Sequence, residues 1–230
     1  GFNFRGVHVA HYQGRNKSMK IERSKKNRMY LLNPQTRSSL SEPFSYFISR
    51  QLGGMGMRSD FVFLRMNGKP KGVSWRYWKD HADIEFNQRP DGTLLEDLGG
   101  KYVFTRTEKD WKTVVRPQNK EMRKQYPAKK VITLFISLLG KDLIDHIGGV
   151  ANIEKFLTWH AHCLIVNSSH QVEDHNSFFY LNSADGRLEP VPIDINMGVY
   201  GTIDHNNNVN HFNPIIDKLL AKFEFFNQRD

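Results

Sequence analysis

The sequence predicts an α+β chain, with a sheet-rich N-terminal lobe over residues 1–110 and a mostly helical C-terminal lobe over residues 111–230 that carries one embedded hairpin. Three observations lead there. Short β-branched and aromatic runs punctuated by Asn-Gly and other glycine turns fill the first half, and apolar residues at helical spacing dominate from about Pro127. Between these helices and the end, EDHNSFFYLNSADGRLEPVPIDIN at 173–196 reads as two strands around an Asp-Gly turn.

Taken in order, Val7–Tyr12, Lys17–Glu22, Arg28–Leu32, Phe61–Met66 and Val73–Tyr77 read as strands, with Asn67-Gly68 and Lys71-Gly72 marking a turn between the last two. Phe44, Phe47, Ile48 and Leu52 recur at helical spacing behind Ser41 and Pro43, and Gly53-Gly54 ends that run, so one helix packs on a small sheet. Residues 80–126 are charged and irregular, with a strand expected at Tyr102–Arg106 and short helical pieces. Two helices follow, one striped by Val131, Leu134, Phe135 and Leu138 and one by Ile153, Phe156, Leu157, His160 and Leu164, separated by Gly148-Gly149. After the hairpin and a polar loop at 201–210, a last helix begins at Asn213-Pro214 with Ile215, Ile216, Leu219, Leu220 and Phe223 apolar.

The bulk composition suits one folded domain of 230 residues, 39 % hydrophobic and 12 % aromatic. The longest apolar-rich segment, Val131–Leu139, is interrupted by Thr133 and Ser137, so no membrane span is expected. A net charge of +9, much of it crowded into Arg15–Arg28, implies attraction to anionic partners such as nucleotides, acidic or phosphorylated protein, or nucleic acid. The single cysteine, Cys163, precludes an intrachain disulfide and reads as a buried structural thiol. The chain opens at Gly1-Phe2-Asn3 without a start methionine, which reads as a piece of a longer chain.

The hairpin carries the chemistry. A turn centred on Asp185-Gly186 places Asn176 near Ile195 and Asp174 just past the end of the second strand. On that strand Val191, Ile193 and Ile195 share a face fit for a core, while Asp194 and Asn196 share the other. Asp174, Asn176, Asp194 and Asn196 thereby form an oxygen-rich candidate site for a hard divalent cation such as magnesium or calcium. Lys17, on the same strand face as Met19 and Ile21, is favoured over Lys20 as a phosphate-binding lysine. His160 and His162 cannot share a helical face at zinc-ligand spacing, and His175 is better placed to orient the loop by hydrogen bonding. The Trp75, Tyr77 and Trp78 cluster reads as packing between elements rather than base stacking, so nucleic acid is disfavoured as a partner.

These pieces resemble the CotH spore-coat protein kinase family, atypical secreted kinases with a reduced two-lobed kinase-like fold. QGRNKSMKIE at 13–22, SYFISRQLGG at 45–54, FLRMNGKPKGVSW at 63–75, DHNSFFYLN at 174–182 and EPVPIDIN at 189–196 are similar to its motifs, in order, over most of the chain. The resemblance implies an atypical protein kinase that uses ATP and magnesium, manganese or calcium to phosphorylate Ser/Thr of a secreted or surface protein. It implies Asp194 as the metal-binding aspartate, assisted by Asn176 and Asn196, Asp174 as the catalytic-loop acid with His175 in support, and Lys17, Lys20 and Arg15 on the nucleotide. The chain departs from the pattern at Ile193, Asn196 and Trp78, where the family has tryptophan, a second acid and a glutamate. These departures keep open the alternative of a catalytically impaired pseudokinase that acts as a binding protein.

Overall fold

A computed structural model describes residues 2–4, 19–24, 27–32, 40–168, 176–195 and 213–227. They form a mixed α/β fold of two antiparallel sheets and several helices, compatible with the α+β expectation. The first sheet runs β1(Phe2–Phe4), β2(Met19–Ser24), β3(Asn27–Leu32), β5(Lys69–Trp78) and β4(Ser59–Met66) in spatial order. The β4–β5 turn is Asn67-Gly68, both at positive φ as a tight hairpin demands. Lys71-Gly72 is instead a bulge: pairing jumps from Leu64↔Gly72 to Arg65↔Pro70, with Gly72 at φ 96°. The expected strand at Val7–Tyr12 lies outside the described residues.

The second sheet runs β7(Trp111–Val115), β6(Gly92–Asp97), β8(Phe178–Asn182) and β9(Leu188–Pro190). Its central strand, β6, falls in the stretch expected to be irregular, because Thr-Leu-Leu-Glu-Asp offers only three apolar or β-branched residues in a row. The strand expected at Tyr102–Arg106 is a 3-10 turn, Val103–Thr105, closed by Thr105 N–H donating to the Tyr102 carbonyl. Leu94, Phe178 and Tyr180 face one core while Leu95, Phe179 and Leu181 face the other, so this sheet is buried on both sides.

One core lies between the second sheet and the helices α4(Ala128–Gly140), α5(Ile153–Ile165) and α6(Pro214–Asn227). Trp111, Phe135, Phe156 and Phe179 pack there edge to face, stacked or tilted, with the tilted Phe135 and Phe156 rings 5.1 Å apart. The buried stripe of α4 is Ile132, Phe135, Ile136 and Leu139, rotated from the expected one, and Leu134 is exposed. Cys163 is fully buried and burial pushes its thiol up, as a structural cysteine requires. A second core joins the two sheets through Tyr30, Trp75, Tyr77, Leu94, Phe178, Val191, Ile193 and Ile195, with Tyr30, Tyr77 and Trp75 stacked in series about 5 Å apart. The expected packing role of Trp75 and Tyr77 is met there, whereas Trp78 holds the Arg58 and Arg76 guanidinium groups over its ring.

The helix α1(Ser41–Gln51) inverts its expectation. Phe44, Phe47 and Leu52 are exposed, while Ser41, Glu42, Ser45, Tyr46 and Ser49 are buried. Two of its buried serines are satisfied from outside the helix: Ser45 meets His162 Nε2 of α5 at 2.9 Å, and Ser49 Oγ donates to the Met55 carbonyl at 2.6 Å. The N-cap is Leu40 rather than Ser41, with no side-chain capping bond. The remaining short helices, α2(His81–Phe86) and α3(Lys120–Gln125), are capped by Asp80 and Asn119.

An ion pair crosses between the sheets. Lys79, just past β5, is almost fully buried against Glu96 of β6, and its ammonium lies 5.9 Å from the Tyr30 ring and 5.4 Å from the Phe178 ring. Lys112 adds a second donor to Glu96 at 3.1 Å. Burial alone would raise the Glu96 carboxyl, but Lys79 and then Lys112 hold it down at about 2. Its folded value lies below its ordinary one, so the pair's stabilisation is present above pH ~4.5 and is lost as pH falls toward ~2. Glu96→Gln should therefore be less stable than wild type at neutral pH, by about 3 kcal/mol, with the gap closing across that acid window in urea melts. A gap that stays constant with pH would contradict the linkage. A backbone test is Gly92→Ala, whose new Cβ would sit 2.4 Å from the Leu181 carbonyl oxygen and from the Tyr180 ring. It should lower the unfolding free energy by about 1–3 kcal/mol.

Candidate functional site

The hairpin expected to carry the site exists as β8 and β9, but two residues out of the expected register. Phe179 pairs with Pro190 and Leu181 with Leu188, so continuing the ladder sets Asn176 level with Ile193 rather than Ile195. The loop holds four residues, Ser183–Gly186, because Asn182 N–H donates to the Arg187 carbonyl and Gly186, at φ 73°, returns its N–H to the Asn182 carbonyl. Asn182 Oδ1 and Asp185 Oδ1 accept from Ala184 and Arg187 N–H, so side chains complete the turn. An even slip keeps every side chain on its expected face. Val191, Ile193 and Ile195 are accordingly buried in the second core, although regular strand ends at Pro190.

Two expected metal ligands are described, Asn176 before β8 and Asp194 after β9. Both are half-buried and both adopt the left-handed backbone region, at φ 61° and 54°. Asn and Asp are the residues that tolerate this conformation best after glycine, and non-glycine residues held there concentrate at functional sites. Asp174, His175 and Asn196 lie outside the described residues, as do Lys17 and Arg15. Lys20 stands in β2, opposite Tyr30 on one side and Asn3 on the other, and its side chain lies outside the described residues. Among the described residues no cluster of three or more His, Cys, Asp or Glu is close enough to enclose a metal.

Tyr46 of α1 shares the second core with Ile193 and Ile195, which flank Asp194. Its phenol is fully buried and pushed well above the usual range, first by burial, then by Glu42, which accepts its hydroxyl at 2.6 Å, and also by Tyr77 and Asp194. Helix α1 therefore sets its bonded Tyr46–Glu42 pair on the core that this end of the hairpin enters. Sequence reasoning missed Glu42 because the apolar stripe of α1 pointed to the opposite face as the buried one. Asn176 and Asp194 offer only oxygen donors to a metal, residue types that suit a hard cation such as magnesium rather than zinc.

Sequence reasoning also missed the buried Lys79–Glu96 pair, whose signal was two charged residues flanking apolar strands that had no exposed face to place them on. Asp80 and Asp83, which follow Trp78 in the chain, form the capping box of α2. Asp83 accepts Arg58 N–H at 2.9 Å and Asp80 N–H at 3.0 Å, and burial pushes its carboxyl up to about 7.

Compared with protein families, the chain matches the model described as CotH kinase protein over residues 7–229, nearly its whole length. No curated protein matches it significantly. The matched span takes in the hairpin, α1, the second sheet and all of the first sheet but β1, and the chain belongs to the CotH kinase family.

Proposed function

We propose that the chain is an atypical protein kinase that binds ATP with a divalent cation between two lobes and transfers the terminal phosphate to Ser or Thr of a secreted or surface protein. The observation that carries this reading is the pair of left-handed residues, Asn176 and Asp194, at the two open ends of one hairpin in a chain of a kinase family. Asp194 and Asn176, with Asn196, hold the cation, which neutralises charge on the transferring phosphoryl group. Glu42 supplies the negative charge that Asn196 lacks as a second acid. Asp174, supported by His175, orients or deprotonates the acceptor hydroxyl, and Lys17, with Lys20 and Arg15, grips the phosphates.

Asp194→Ala should keep the fold by circular dichroism and lose phosphate transfer from labelled ATP, to the protein itself or to a serine-rich acceptor, by about a hundredfold or more. An unchanged rate would remove Asp194 from the site. Glu42→Gln keeps an acceptor for the Tyr46 hydroxyl and should raise the magnesium concentration needed for half-maximal transfer, with the plateau rate retained.

The pseudokinase reading draws support from the three departures, of which Asn196 lies outside the described residues and the other two are described. Ile193 is buried in the second core where the family has tryptophan, and Trp78 engages two arginines where the family has a glutamate. A thermal-shift titration decides between them. Magnesium with ATP should raise the unfolding midpoint of a nucleotide-binding protein, since a ligand that binds only the folded state stabilises it, and no shift with magnesium, manganese or calcium would favour the binding protein.

A further inference from the structure

We infer that Asp97 and Arg106 are positioning residues for the Asn176 end of the cation site, an inference that rests on the kinase reading above. Asp97 is the last residue of β6 and stands opposite Ser177, the residue after Asn176. Its N–H donates to the Ser177 carbonyl at 3.0 Å, as the ladder requires. The return bond is made differently. Ser177 N–H donates to Asp97 Oδ2, not to the backbone, and Asp97 Oδ1 accepts Gly99 N–H at 2.9 Å. The carboxylate thus replaces the last rung of the sheet and lets both chains leave it, β6 toward Gly99 and β8 toward the left-handed turn at Asn176.

Arg106 locks this arrangement. Its Nη1 donates to Ser177 Oγ at 3.1 Å and to Asp97 Oδ2 at 3.3 Å, and its guanidinium lies 5.3 Å from the centre of the Trp111 ring. The Arg106 and Asp97 side chains are 1 % and 5 % exposed, so water does not compete for these bonds. The charged pair grips both the backbone and the side chain of Ser177, one peptide from a proposed metal ligand. Groups that hold a ligating residue in this way typically change metal affinity by about 10–100-fold when removed.

The test is calorimetric titration of the full chain with manganese and ATP, at a temperature well below the unfolding midpoint of each variant. Asp97→Asn keeps the volume but loses the charge that accepts Ser177 N–H, and should weaken manganese–ATP binding at least tenfold. Arg106→Lys, which cannot span both oxygens, should fall between Asp97→Asn and wild type. Ser177→Ala, which removes only the Oγ contact and leaves the fold least disturbed, should weaken binding a few-fold. Gly92→Ala, at the far end of β6, serves as a destabilised control and should bind as wild type does. Binding by Asp97→Asn, Arg106→Lys and Ser177→Ala equal to wild type would overturn the positioning role and leave the kinase reading standing. A wild-type chain that binds neither manganese nor ATP would overturn the kinase reading and this inference with it.

Discussion

The second sheet is covered on both faces, and most of what is distinctive about this chain follows from that constraint. A strand buried on two sides has no solvated face for a charge, yet β6 ends in Glu96-Asp97. Consecutive strand residues project to opposite faces, so the two carboxylates enter different cores. Each finds its own cation, Lys79 on the side of the first sheet and Arg106 on the side of the helices. Unpaired, either carboxylate would cost several kcal/mol to bury. Paired, they fix the start of β8 from both sides, through the Phe178 ring near Lys79 and the Ser177 backbone bound to Asp97.

The other end of the hairpin is held by apolar packing. Val191, Ile193 and Ile195 are buried in the second core beyond the last regular strand pair, and Val191 N–H still donates to the Phe178 carbonyl at 2.8 Å. The two ends of the hairpin are thus held differently, Ser177 by a buried ion pair and the residues flanking Asp194 by burial in the second core.

Helix α1 adds a directional restraint. An apolar face can rotate or slide on a core at modest cost, but the contact of Ser45 with His162 and the bond of Ser49 to the Met55 carbonyl specify one rotation of the helix. That rotation places Tyr46, bonded to Glu42, in the second core with Ile193 and Ile195. Burial lowers His162 to about 4, so it serves this role as a neutral ring at physiological pH.

Local signals were legible where periodicity and turn chemistry act alone. The hairpin around Asp185-Gly186, the Asn67-Gly68 turn, the helices after Pro127 and the start of α6 at Asn213-Pro214 were all readable. The structure overruled the reading where two different patterns competed. The phenylalanine stripe of α1 outweighed its serines by hydropathy, although the serines are the residues with partners on the core side. The charges flanking β6 disguised a central strand, because their cations stand 17 positions before Glu96 and 9 after Asp97. The sequence by itself determined the local conformations and the residue types available for a cation site, since turns, caps and periodicity depend on near neighbours. Only the tertiary structure decided the hairpin register, the buried face of α1 and the ionic partners of Glu96 and Asp97, because each depends on groups that folding brings together from distant parts of the chain.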